Sequence, residues 1–237
     1  MDAMEELQEL RLKGKIGRPD DGTFDLLNKQ EELHDDLKNC VSQGEFFMHL
    51  HHPLMIDVPY DEQKNALINA SYQCKLDDLK KWAWKGEWSR YIGVYERPYR
   101  LEEFIKLAKV NLIDGEYWNI AGWLWTDTEN QWQYLSEWQD VLSSERGQKE
   151  CFMNKKENEF LKSMPDEVEI YRGCFEGIND EGLSWTLDKS IAEMFSQHRN
   201  FKRKDDWESI ILSQTVSKED IFAVKLGRKE SEVILKM

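Results

Sequence analysis

The chain lacks an apolar run long enough to cross a bilayer. Its longest uncharged apolar stretch, residues 117–126, is about half the length a membrane helix needs. The opening MDAMEELQEL is acidic and has no basic segment followed by an apolar core, so no signal peptide is expected. Cysteine is sparse and unpatterned. Cys40, Cys74, Cys151 and Cys174 form no CxxC pair, which predicts free thiols in a reducing, cytoplasmic compartment. Basic charge is also short: 32 Lys+Arg stand against 46 Asp+Glu, a formal charge of −14. That balance disfavours non-specific nucleic-acid binding and anionic membrane surfaces. Internal repeats and low-complexity tracts are absent.

What is present fits a folded protein. The 237 residues suffice for one large domain or two small ones, and 40% hydrophobic with 33% charged residues argues against wholesale disorder. Ten tryptophans, eight of them before residue 140, ask for a packed core or a stacking site. The acid excess is uneven. From residue 166 onward there are 15 acids and 11 bases, so most of the negative charge lies in residues 1–165.

The first 165 residues read as helical. Met4, Leu7 and Leu10 suggest a short N-terminal helix, and GKIGRPDDG (residues 14–22) a loop. Leu26, Leu33, Leu37 and Val41 share one stripe, predicting a helix over 23–42 with Thr23 as its cap. Pro53 and Pro59 bracket an extended or loop segment. Asp61 then opens a helix with Leu67, Ala70 and Cys74 on one face, continued by Leu76, Leu79 and Trp82, and broken at Gly86. Leu101, Phe104, Ile105, Ala108 and Leu112 predict an amphipathic helix stopped near Gly115. Further helices are expected over 127–142, with Trp132, Leu135, Trp138 and Leu142 inward, and over 148–162, before Pro165.

From residue 166 the pattern changes. Residues 168–172 alternate like a strand, 173–182 read as a loop, and 183–187 as a short extended run. Asp188 caps a helix carrying Ile191, Ala192, Phe195 and His198. Strands follow over 209–216, 221–225 and 232–235. Helices followed by strands predict an α+β architecture, with residues 1–165 helical and 166–237 β-rich. A β-rich segment of this length buries too little surface alone, so the preceding helices are expected to complete its core.

Three short motifs fall in the β-rich part: Tyr171-Arg172-Gly173 at the end of a strand, Ser184-Trp185-Thr186 leading into a helix, and Glu230-Ser231-Glu232 entering a strand. Their order and setting resemble the mono-ADP-ribosyltransferase family, in the branch marked by Arg, then Ser-x-Ser/Thr, then Glu-x-Glu. The resemblance covers residues 167–237, about a third of the chain, and extends to EIYRG, GLSWT with its A-x-x-F helix, and SEVIL.

The resemblance implies a pair of small packed β-sheets with flanking helices. It implies NAD as co-substrate, nicotinamide release, and transfer of ADP-ribose to a macromolecular acceptor. Protein arginine leads among the acceptors; RNA or DNA bases, or water in a glycohydrolase, are the alternatives. It assigns Glu232 to the ribose and its developing positive charge, Glu230 to the acceptor, and Arg172 to the diphosphate. Gly173 would hold the nicotinamide amide through its backbone, Ser184 would orient Glu232, and Thr186 would support the strand and helix start. Phe195 faces either the nicotinamide or the core.

The residue types suit that chemistry. Loss of a cationic leaving group from a ribose carbon leaves oxocarbenium-like charge, which a fixed carboxylate stabilises. A guanidinium suits a diphosphate, and glycine admits a close backbone approach. Glu230 and Glu232, two apart in a strand, are expected on one face. Trp185 stands where family members often carry a small residue. A bacterial or phage effector is the implied setting, and the sequence names no antitoxin-like or other regulatory partner. A non-enzymatic, Trp-rich interaction protein is the rival reading.

Three weaker signals have plain readings. FMHLHHP clusters His49, His51 and His52, but only Asp57 lies near them as a further ligand type, so an exposed loop or strand is expected and no metal is assigned. Trp118, Trp123, Trp125, Trp132 and Trp138 recur at helical spacing, which favours a core over a base-stacking platform. RNFKRK (residues 199–204) reads as a solvated loop, with polyanion contact as the alternative.

Overall fold

The computed structural model describes residues 29–109, 112–197, 208–227 and 230–236. They divide into two compact units, one ending at Tyr99 and the other running from Arg100. The expected N-terminal helix and loop, His198 and the RNFKRK run lie outside the described residues. The architecture is α+β, with the antiparallel strands in two sheets, one of three strands and one of five.

In the first unit the expected helix over 23–42 is reduced, within its described part, to the single turn α1 (Asp35–Lys38). Leu33 and Leu37 are buried at helical spacing, but the chain then extends into β1 (Val41–Gln43). β-Branched Val41 pairs with Leu50 of β2 (Met48–His52), so cross-strand pairing overrides the local stripe. β3 (Met55–Pro59) completes the order β1-β2-β3. This sheet is absent from the helical reading of the N-terminal part. Leu50, between two outward histidines, is the strand's inward residue and is fully buried.

Asp61 accepts from the Gln63 N–H and opens a short 3-10 turn that runs into α2 (Asn65–Lys85). Ile68 and Tyr72 form the buried face, with Leu76 and Leu79 continuing it. The predicted Leu67–Ala70–Cys74 face is therefore rotated, and Cys74 is exposed. Gly86, at φ 65°, stops α2 in the left-handed conformation glycine favours. α3 (Trp88–Gly93) follows, and α4 (Arg97–Ala108) begins at the Arg97-Pro98 pair.

In the second unit, α4 buries Leu101, Phe104 and Leu107 and ends before the predicted stop. Gly115 lies instead in the first turn of α5 (Asp114–Asp127). The expected helix over 127–142 is shorter: α5 ends at Asp127, and a 3-10 turn precedes α6 (Leu135–Leu142). The helix over 148–162 is likewise divided. Asn154 accepts from the Glu157 N–H while Glu157 accepts from the Asn154 N–H, and this capping box starts α7 (Lys155–Ser163) afresh.

The β-rich segment follows the sequence closely. β4 (Glu167–Phe175) runs through Gly173, β5 is Ser184–Thr186, and Asp188 caps α8 (Lys189–Ser196). β6 (Ser209–Ser217), β7 (Ile221–Lys225) and β8 (Glu232–Leu235) complete an antiparallel sheet ordered β6-β4-β5-β8-β7. Val168, Ile170, Val224 and Val233 share a core cluster with Met164. Trp118, Trp125 and Trp138 are fully buried, and Trp125 meets Trp138 edge-on at 4.9 Å. The tryptophans at helical spacing are thus largely core.

Candidate active site

One cavity of about 970 Å3 opens in the second unit. This is the upper end of what cofactor-sized ligands occupy. All seven residues singled out by the sequence line it: Arg172, Gly173, Ser184, Thr186, Phe195, Glu230 and Glu232.

Strand register explains the convergence. Tyr171 pairs with Thr186, Thr186 with Glu232, and Glu232 with Lys225, forming one row across four strands. Ser184 is two residues from Thr186 and so lies diagonally across from Glu232, within side-chain reach. Its Oγ donates to Glu232 Oε1 at 2.5 Å. Thr186 Oγ1 donates to the Glu230 carbonyl at 2.6 Å and accepts from the Asp188 N–H at 3.1 Å, joining β5, the β8 approach and the start of α8.

Glu230 and Glu232 do not share a strand face. β8 begins at Glu232, and Ser231 between them sits at φ 44°, in the left-handed region. The period-2 argument fails there because the backbone is not extended. Both acids nonetheless line the cavity.

The sequence did not reveal a second donor to Glu232. Trp125, on α5, donates its Nε1–H to Oε1 at 2.9 Å, across 107 residues of chain. Both known donors therefore end on the same oxygen. Burial raises the Glu232 carboxyl above the usual carboxylate range, and Glu230 adds to this; Ser184, Trp125 and the Lys225 ammonium oppose it. Lys225 is itself buried, which lowers its pKa. It donates to the Phe152 carbonyl at 2.6 Å and lies 3.8 Å from the buried Glu157 carboxylate. The spacing of Trp125 pointed only to a core tryptophan and Lys225 carried no signal, because each comes beside Glu232 through the tertiary fold.

Arg172 is held by backbone carbonyls. Its Nε and Nη2 donate to the Asn179 carbonyl at 3.2 and 2.6 Å, and Nη1 donates to the Ser184 carbonyl. Among the described residues no carboxylate lies within ion-pair distance of it. Burial lowers its pKa, yet a guanidinium stays charged. Three of its five N–H groups are engaged, leaving one on each terminal nitrogen. Asp180 and Glu232 act on its charge only from beyond ion-pair distance, so the two remaining N–H groups at the cavity wall suit an anionic ligand.

Gly173 has a packing reason for being glycine. A Cβ there would lie 1.9 Å from the Ala192 carbonyl and 2.6 Å from the Ser196 nitrogen, because α8 crosses β4 backbone to backbone. Phe195 is 39% exposed on α8, on the cavity side and outside the core. Trp185 packs against the Met164–Ile170 cluster. All four cysteines are unpaired thiols, and burial raises the Cys174 pKa, so it is a poor nucleophile.

No family model matches the chain, and neither a curated protein nor a solved structure matches it.

Proposed function

We propose that the chain is an NAD-dependent mono-ADP-ribosyltransferase acting on a macromolecular acceptor, a protein arginine in the first instance. The observation that carries this reading is the convergence of Arg172, Ser184 and Glu232, from the adjacent strands β4, β5 and β8, on one cavity, with Ser184 bonded to Glu232. The order of the three motifs along β4, β5 and β8 is what supports an ADP-ribosyltransferase-like core as the finer fold; the strands of that core form one five-stranded sheet, where the resemblance implies a pair.

NAD would supply a cationic nicotinamide leaving group, whose departure places positive charge on the ribose. Glu232 is the group that answers that charge. Its Oε1 is occupied by Ser184 and Trp125, so Oε2 is the oxygen available to a ribose. A cation brought beside the carboxyl favours its ionised form, opposing the upward push of burial. Arg172 would take the diphosphate through its two remaining N–H groups. Glu230, beyond the Ser231 kink and on the cavity wall, would receive a proton from the acceptor. Lys225, the cross-strand partner of Glu232, would favour the ionised carboxylate by its charge and is itself held by the Phe152 carbonyl.

The test is labelled NAD with the full chain and a cell lysate, beside Glu232→Gln. Label in the protein fraction, sensitive to hydroxylamine and lost in the variant, supports transfer to arginine. Label in nucleic acid moves the acceptor to a base. Free nicotinamide without label transfer makes the chain a glycohydrolase. No NAD turnover together with no NAD binding overturns the reading and leaves a Trp-rich interaction protein.

A further inference from the structure

The histidine cluster in the first unit gains a partner through the fold. His49 and His51, two apart in β2, point to one face of the three-stranded sheet. The β2–β3 register runs Leu50↔Val58 and then His52↔Met55, so Ile56 and Asp57 together oppose His51. This is a β-bulge, and Asp57 sits in it at φ 53°. The bulge turns the carboxylate to the histidine face, where Asp57 Oδ1 lies 3.3 Å from His51 Nδ1. His49 stacks on His51 with ring centroids 5.7 Å apart. The Nε2 edge of His49 lies over Gly44, where a Cβ would approach to 2.8 Å. Its other nitrogen, Nδ1, is buried and has no hydrogen-bond partner.

We infer that His49, His51 and Asp57 form a binding site for a borderline divalent transition ion, of which Zn2+ is the representative. The donor set is two imidazole nitrogens and one carboxylate oxygen, all within 4.8 Å of one another. Such a set suits zinc-class ions and discriminates against Mg2+ and Ca2+, which prefer oxygen ligands. Tetrahedral coordination at about 2.0 Å separates ligand atoms by roughly 3.4 Å. The His51–Asp57 pair already has this spacing, and a ligand nitrogen of His49 lies within 4.8 Å of both. Three protein ligands leave a fourth position for water or another ligand. The unpartnered, buried nitrogen is the feature an ion would satisfy, since a lone buried polar atom is otherwise costly. His52 belongs to the opposite face: its Nδ1 accepts from the Leu54 N–H, and its ring meets Tyr72 at 5.1 Å. The site is independent of the NAD reading.

The test is calorimetric titration of the full chain with Zn2+, and with Mg2+ in parallel. We expect saturable binding of Zn2+ and none of Mg2+. His51→Ala and Asp57→Asn, both at exposed positions, should weaken Zn2+ binding at least tenfold. His52→Asn, which keeps an acceptor for Leu54, should leave it unchanged. Zn2+ should also raise the melting temperature of the wild-type chain and not that of His51→Ala. Circular dichroism of each variant guards against unfolding. Undiminished binding by His51→Ala would move the ion to the thiols and overturn the assignment, as would the absence of saturable binding.

Discussion

Replacing Trp125 by Phe tests the Glu232 arrangement most directly. The substitution keeps an aromatic ring but removes the indole N–H, one of two donors on Glu232 Oε1. A hydrogen bond to a charged group contributes about 1.5–3 kcal/mol. Ser184, at 2.5 Å, remains on the same oxygen, so the lower end applies, which is roughly a tenfold rate effect. The effect has a direction in pH. The Trp125 donor lowers the Glu232 pKa, so its loss raises it further. If the carboxylate is the working form, the acid limb of the pH–rate profile moves to higher pH. Below the limb Trp125→Phe should lose about tenfold in nicotinamide release. Above it, activity should return close to wild type. Trp125 also packs on Trp138 and Phe152, so a void costs stability, but a void lowers activity at every pH. Ser184→Ala should shift the limb in the same sense, and the double variant should lose more than the sum of the two. An unmoved acid limb with uniform loss, or strict additivity, would refute the shared-oxygen reasoning.

Three further outcomes follow from the same wall. Glu232→Gln should be inactive yet more stable at neutral pH. Burial raises the folded pKa above the unfolded value near 4.5, so stability is lost as pH rises through that window and the whole cost is present above it. Thermal melts should show the variant ahead by about 1 kcal/mol at pH 7, with the gap closed near pH 4; a variant that melts earlier at pH 7 contradicts this. Gly173→Ala should cost about 3 kcal/mol in urea unfolding, because its Cβ meets backbone atoms of α8 that cannot swing aside. A change below about 0.5 kcal/mol would mean that α8 is not seated on β4 as described. Lys225→Met removes the ammonium beside the buried Glu157 carboxylate, which keeps the Asn154 and Leu226 N–H donors, and should cost about 1–3 kcal/mol, partly recovered in the double variant with Glu157→Gln. Equal unfolding midpoints for the single and double variants would show that the pair is not coupled.

The β-rich segment was legible in the sequence because its signals are local. β-Branched runs over 209–216, 221–225 and 232–235 sit in strands, and Asp188 caps α8 by accepting from the Ser190 N–H, two residues on. The motif residues were legible as residue types at strand ends and turns. The N-terminal sheet was not. Leu33 and Leu37 have a helical spacing that one turn satisfies, and the choice of β1 for the next residues is made by Leu50, nine positions beyond Val41. The face of α2 was misread for a related reason. Its stripe is broad enough to allow two rotations, and only the sheet beneath Ile68 and Tyr72 selects one.

The chemistry divides along the same line. Sequence order alone determined that an arginine, a serine and a glutamate would stand on strands, because the alternation and turn residues around them act within a few positions. Tertiary structure alone decided that Trp125 would share Glu232 Oε1 with Ser184, that Lys225 would lie beside them, and that Arg172 would be held at the cavity wall by backbone carbonyls. It also decided that a bulge would carry Asp57 to two histidines. Apart from Asp57, already near His51 along the chain, these meetings join residues whose separation in sequence says nothing about their separation in space. They are set by strand register and helix packing, which depend on every contact in the unit at once.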